Sequence, residues 1–153
     1  MRLVDADGQH PDFADLCRAL DEFLNQAAGG EQNRAAYLPH NTRDDIHDVI
    51  LAYDGARAVG CAALRRLDDR RAEVKRVFVR PEYRGRGIAR QMMGRLEDLA
   101  RCQGYAELVL ETGRPLTAAV ALYRALGYGE MPPYGPYADL PQSLCMRKEL
   151  AGK

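Results

Sequence analysis

The sequence predicts an α/β (α+β) fold in which helices flank a mixed, mostly antiparallel central sheet. Three observations lead there. Between residues 49 and 79, three strand-like apolar runs are joined by tight turn signals, the pattern of an antiparallel meander. From residue 81 onward, stretches of helical period alternate with short apolar runs, which places helices between further strands. The chain has 153 residues, 46% of them hydrophobic, which fits one domain over 1–153 with a continuous core.

The elements follow in order. Residues 1–6 read as a short strand. Asp12–Gln26 sets Phe13, Leu16, Leu20, Phe23 and Leu24 on one helical face, closed by Gly29-Gly30; residues 31–45 are polar and read as a short helix plus a loop. Val49–Tyr53 and Ala58–Leu67 are strands around the Asp54-Gly55 hairpin signal, and Asp68-Asp69-Arg70 turns the chain into a third strand, Glu73–Val79. Ile88, Met92, Leu96 and Leu99 recur at helical spacing until Gly104. Glu107–Thr112 is a short buried strand. Leu116–Leu126 is a helix stopped by Gly127, with Ala119, Leu122, Tyr123 and Leu126 on one side. A short strand from Tyr128, a loop holding Pro132, Pro133, Pro136 and Pro141, and a last strand over Leu144–Leu150 complete the chain.

Composition narrows the function classes. No stretch approaches the roughly 18 uninterrupted apolar residues of a membrane helix, and MRLVDADGQH has no apolar signal region. Cys17, Cys61, Cys102 and Cys145 are widely spaced and make no CxxC pair. His10, His40 and His47 add no metal spacing. The expectation is a cytoplasmic protein with reduced thiols and no metal. Net charge is zero but unevenly spread: residues 1–54 carry 4 basic and 11 acidic side chains, and residues 65–101 carry 12 basic and 6 acidic ones. That asymmetry suits one anionic and one cationic ligand, or ordinary solvated charge.

The informative segment is Val77-Phe-Val-Arg-Pro-Glu-Tyr-Arg-Gly-Arg-Gly-Ile-Ala89, a strand, a proline turn, a glycine-rich loop and the start of a helix. The first turn of a helix exposes N–H groups and carries the positive end of the macrodipole. Gly85 and Gly87 let a phosphate approach those groups closely, and Arg84 and Arg86 add charge beside them. The loop matches neither the dinucleotide fingerprint, since Arg90 stands where Gly or Ala is wanted, nor the P-loop, which needs Gly-Lys-Ser/Thr. An RNA-binding Arg-Gly arm is the rival, disfavoured because the run is a single copy inside an apolar periodic pattern.

Arg84-Gly85-Arg86-Gly87-Ile88-Ala89 resembles the acyl-CoA-binding motif of the GNAT N-acetyltransferase superfamily. Ala121-Leu-Tyr-Arg-Ala-Leu-Gly-Tyr128 resembles that family's late tyrosine helix and the turn after it. Glu73-Val-Lys-Arg76, Leu110-Glu-Thr-Gly113 and Tyr134-Gly-Pro-Tyr137 are similar to blocks of a bacterial subgroup. The resemblance spans about residues 45–150. One departure stands out: Leu116-Thr117 occupies the start of the tyrosine helix, where many members carry an Asn that touches the donor, so no such contact carries over.

The resemblance implies direct transfer of an acetyl group from acetyl-CoA to an amine within a ternary complex. It implies that the motif strand and its neighbour part at a bulge, that the pantetheine arm pairs with backbone at Phe78 and Val79, and that the pyrophosphate rests on the amides of Arg84, Gly85, Arg86, Gly87, Ile88 and Ala89. An alkyl ammonium with a pKa near ~10 is neutral in only about one molecule per thousand at pH 7, so a base helps. Glu73 is the first candidate, directly or through a water; alternation puts it on one face with Lys75, Val77 and Val79. The other reading is a surface carboxylate paired with Arg71 or Lys75. Glu111, which interrupts the apolar strand, is the second candidate. Tyr123 matches the family tyrosine that would protonate the leaving thiolate.

The acceptor is expected to be a small-molecule or amino-acid-like amine drawn by the acidic first third, with Asn41, Tyr134 and Tyr137 lining its site. Loop capping by Asn41 and proline-loop packing by the tyrosines are the alternatives. Neither nucleic acid nor membrane is an expected partner, and a homodimer is open because family members often form one. A CoA-binding regulatory domain with little catalysis is the second functional class.

Overall fold

The computed structural model describes residues 1–28 and 45–150. Its elements run β1 (Arg2–Ala6), α1 (Pro11–Ala28), β2 (Ile46–Asp54), β3 (Arg57–Arg66), β4 (Arg71–Val79), α2 (Ile88–Cys102), β5 (Glu107–Gly113), α3 (Thr117–Ala125), β6 (Gly129–Met131) and β7 (Ser143–Glu149). Every strand and helix expected within the described residues is present. The Gly29-Gly30 stop, the 31–45 segment up to residue 44, and Asn41 lie outside them.

The strands form one sheet in the order β1-β2-β3-β4-β5-β7-β6. β4 and β5 pair in parallel; the other neighbours are antiparallel. The local chemistry explains the meander. β2 and β3 meet across Gly55-Ala56, with Asp54 opposite Arg57. At the next turn Asp68 Oδ1 accepts from the N–H groups of Arg70 (2.9 Å) and Arg71 (2.8 Å), the aspartate turn that folds β3 back onto β4. Helix α1 starts with Pro11, whose missing N–H costs nothing at a first-turn position, and His10 Nδ1 accepts from Asp12 N–H at 3.1 Å.

The sheet separates two apolar clusters. On one face, Phe13, Leu16, Cys17 and Leu20 of α1 pack against Val49, Leu51, Cys61, Ala63 and Phe78. On the other, Ile88, Met92, Met93, Leu96 and Ala100 of α2 pack against Ile50, Ala52, Ala62, Leu64, Ala72 and Val74, joined by Tyr123 and Tyr128. Gly60 lets α2 come close: a Cβ there would meet Met92 Cε at 3.1 Å and the Phe78 carbonyl at 3.2 Å.

One expectation is corrected. Glu73 and Lys75 do not share a face with Val77 and Val79. Cys61 and Ala63 on β3 face Phe78 and Lys75 on β4, so β4 carries an extra residue there. Arg76 takes it up with φ of 59°, a left-handed conformation rare outside glycine. Beyond this bulge the alternation is offset. Phe78 joins the α1 cluster with the Glu73 side, while Val77 and Val79 pack on the α2 side.

Candidate active site

The register of β4 and β5 runs from Arg71–Glu107 to Val74–Leu110 and stops. β5 continues to Gly113 and β4 to Val79 without further pairing between them. The bulge at Arg76 turns β4 away, and the guanidinium of that residue holds the bend. Its Nη2 donates to the Cys17 carbonyl at 2.9 Å and to Asp21 at 3.0 Å, fastening the bulge to α1. The parted strands open a cleft of about 1010 Å³, lined by β4 from Glu73 to Val79, by Arg84, Gly85 and the helix start from Gly87 to Arg90, by β5 from Leu110 to Gly113, and by α3 residues including Tyr123.

At one end lies the glycine loop. Gly85 (φ 79°) and Gly87 (φ 77°) both adopt left-handed backbone. Gly87 is the N-cap of α2 and brings no capping side chain, so the amides of Ile88, Ala89 and Arg90 have no side-chain partner there. A Cβ built on Gly85 or Gly87 meets nothing within 4 Å, so the space over the helix end is open. The loop thus fits an anion, on backbone amides and the helix dipole together. The two arginines have partners in the turn and beside it. Arg84 Nε donates to the Val79 carbonyl at 2.8 Å, and its guanidinium lies 4.6 Å from the Phe23 ring centroid. Arg86 sits 4.9 Å from the Tyr83 ring.

At the other end, side chains from three places converge on Glu73, which is 2% exposed. Arg65 Nη1 donates to Glu73 Oε1 at 2.9 Å. Tyr134 Oη donates to Oε2 at 2.8 Å and Tyr137 Oη lies 3.2 Å from the same oxygen. Lys75 Nζ is 3.3 Å from Tyr137 Oη. Glu73 is therefore a buried, multiply bonded carboxylate rather than a surface ion; Arg71 instead pairs with Asp68. Burial, then the charge of Glu73, raises both tyrosine hydroxyls far above their ordinary range, so they stay protonated. Burial lowers the Lys75 ammonium.

Tyr123 and Glu111 stand on the cleft wall. Tyr123 is buried, its ring edge-on to Tyr128 at 5.9 Å, and burial followed by the Glu111 charge pushes its phenol up. Glu111 Oε2 accepts from Ser143 Oγ at 2.8 Å. Three predicted residues from separate parts of the sequence, Glu73, Tyr134 and Tyr137, are thus one cluster. Arg65 was missed, although counting outward from the Asp68 turn pairs it with Glu73 across the hairpin. Ser143 had no such signal. Among the described residues, no group of three or more His, Cys, Asp or Glu is placed to hold a metal ion. No helix there is long and apolar enough to cross a membrane.

Comparison with known proteins bears on this cleft. A model of the acetyltransferase (GNAT) family matches residues 14–128. IAA acetyltransferase of Azospirillum brasilense is 38% identical over 136 residues, which cover 88% of this chain and 88% of that protein. A solved structure assigned as an acyl-CoA N-acyltransferase of Klebsiella pneumoniae aligns with a TM-score of 0.80 at 28% identity, covering 98% of this chain and 97% of the other. PaiA N-acetyltransferase of Thermoplasma acidophilum, crystallised with coenzyme A, shares the fold at a TM-score of 0.75 and 16% identity, covering 97% and 99% of the two chains.

Proposed function

The chain belongs to the acetyltransferase (GNAT) family, whose members move an acetyl group from acetyl-CoA to an acceptor, and on that footing we propose that this one acetylates the amine of a small-molecule or amino-acid-like acceptor by direct attack in a ternary complex. The observation that supports it is the continuity of the cleft: it runs from the open amides of α2, between the parted edges of β4 and β5, to the buried carboxylate of Glu73.

Each residue has a role under this reading. Amides of the 84–89 segment hold the donor's diphosphate, with Gly85 and Gly87 keeping the approach clear. The unpaired edge of β4 offers backbone groups to the amides of the pantetheine arm, as a sheet edge does to an added strand. Val79 already gives its carbonyl to Arg84, so Phe78 and the residues before it carry most of this contact. The acceptor enters on the tyrosine side, where the Tyr134 and Tyr137 hydroxyls orient its nitrogen. Glu73 receives the amine proton through those hydroxyls or a water, with Arg65 holding the carboxylate in place. The nitrogen lone pair then forms the C–N bond as the C–S bond breaks, and the second proton that the nitrogen sheds passes to the departing thiolate. Tyr123, whose phenol holds its proton more tightly than a thiol with a pKa near ~8.5, donates a hydrogen bond to the departing sulfur rather than surrendering the proton outright. Glu111 sets the field around that tyrosine.

Thiol release across a panel of amines, with melting temperature followed in parallel, tests the proposal. Release of CoA that needs both donor and amine is the expected result. Stabilisation by acetyl-CoA with no thiol release from any amine would instead make the chain a CoA-binding regulatory domain.

A further inference from the structure

The chain meets nearly every need for a cation with arginine. Of its 22 Lys+Arg residues, the lysines are Lys75, Lys148 and Lys153. Lys148 is held by both oxygens of Glu97, at 3.0 and 3.2 Å, and Lys153 lies outside the described residues. Lys75 has a different setting. It is 9% exposed, lines the cleft, and is the first β4 residue past Val74–Leu110, the last rung shared with β5. Its Nζ lies 3.3 Å from Tyr137 Oη, beside Glu73. A guanidinium at this place would stay charged at any accessible pH, whereas a lysine amine can lose its proton and become a nucleophile. Burial pushes it that way. The charges of Glu73, Asp45 and Glu111 oppose the shift and that of Arg65 assists it, and Tyr137 Oη lies within hydrogen-bond reach of the amine.

We propose that Lys75 is itself an acetyl acceptor, modified by the enzyme's own bound donor when no amine substrate is present. The inference rests on the acetyl-CoA reading of the cleft. The neutral Nζ attacks the thioester carbonyl carbon; the C–N bond forms, the C–S bond breaks, and sulfur leaves with the bonding pair. The nitrogen sheds one proton and the thiolate takes up one, so the products are an Nε-acetyl-lysine and free CoA. No oxidant or reductant is needed. The amide is far less reactive than a thioester, so the acetyl group is not passed on. It removes a cation and fills space beside Glu73, where the acceptor nitrogen has to sit. The modification is thus a brake that sets in when donor is plentiful and acceptor scarce.

The test uses the unmodified chain. Purified protein is incubated with acetyl-CoA alone from neutral to mildly alkaline pH. Intact mass and proteolytic mapping locate any acetyl group, and melting temperature with CoA is measured alongside. The expected result is one acetyl group on Lys75, gained about tenfold or more faster than on Lys148 in the same tube, because a bound donor acts at high effective concentration. Excess CoA slows it, K75R does not acquire it at this position, and the acetylated protein releases thiol more slowly from the amine panel. Stabilisation by CoA with Lys75 unmodified, or acetylated no faster than Lys148, overturns the inference and leaves the cofactor reading standing. No stabilisation by CoA overturns the cofactor reading itself, and the inference with it.

Discussion

The two ends of the cleft are built by opposite means. The helix end comes from one continuous stretch, residues 79–90, and works with backbone: left-handed Gly85 and Gly87 and the amides that open α2. The Glu73 end comes from β3, β4 and the 134–137 loop, with partners up to 64 positions from Glu73 along the chain, and works with side chains. A backbone site is set by local conformation and tolerates many side chains around it. A side-chain site is set by register and packing, and each member depends on the others. Mutations at the two ends should therefore separate cleanly, binding at one and turnover at the other.

The largest separation is expected from Glu73→Gln. It keeps the shape of the side chain but removes the carboxylate proposed to take the amine proton, so kcat is expected to fall by about 10²–10⁴ while CoA affinity stays within a few-fold. The loss should shrink at higher pH, where more acceptor amine is already neutral. A small, pH-independent effect would reduce Glu73 to a structural carboxylate. Next is Gly87→Val, which forces a β-branched residue to φ 77° and puts its methyl groups into the open space above the helix end. Affinity for CoA by calorimetry should weaken by about 100-fold, an effect the Glu73 end cannot produce. Near-native affinity would move the diphosphate elsewhere.

Tyr123→Phe should lower kcat by about tenfold and leave CoA affinity unchanged. The effect is modest because a thiol is already a tolerable leaving group. Unchanged kcat would remove Tyr123 from the chemistry. Tyr134→Phe deletes one of the hydroxyl bonds to the Glu73 carboxylate, worth about 1.5–3 kcal/mol of stability for a charged acceptor, and should change turnover by only a few-fold while Tyr137 remains.

The smallest effect divides the ends by pH. Burial holds the phenols of Tyr123, Tyr128, Tyr134 and Tyr137 above their ordinary range; burial and the bond to Asp12 push Tyr53 up to about 12. Above about pH 10 the folded state then keeps protons that the unfolded chain has lost, so this contribution to stability is whole below pH 10 and declines as pH rises. Denaturant unfolding should follow that slope. CoA affinity measured just below the decline should hold, since backbone amides do not titrate there.

Much of this molecule could be read in advance. Helical and strand periods placed each described element, and the Gly85 and Gly87 loop was recognisable because a glycine turn opening a helix is a local signal. Arg65 opposite Glu73 was recoverable too, by counting out from Asp68. The bulge at Arg76 was not, because nothing in a non-glycine residue between a lysine and a valine announces a left-handed backbone. It moved Val77 and Val79 to the opposite face from Glu73 and opened the strands. Nor could spacing show that the hydroxyls of Tyr134 and Tyr137 would end on Glu73. Residues near in sequence share a conformation chosen by their own sterics and hydrogen bonds, so the chain's order of elements and the glycine turn that opens α2 were written locally. The carboxylate cluster arose from strand register, one bulge and the docking of a distant loop, quantities that take their values only when the whole sheet packs.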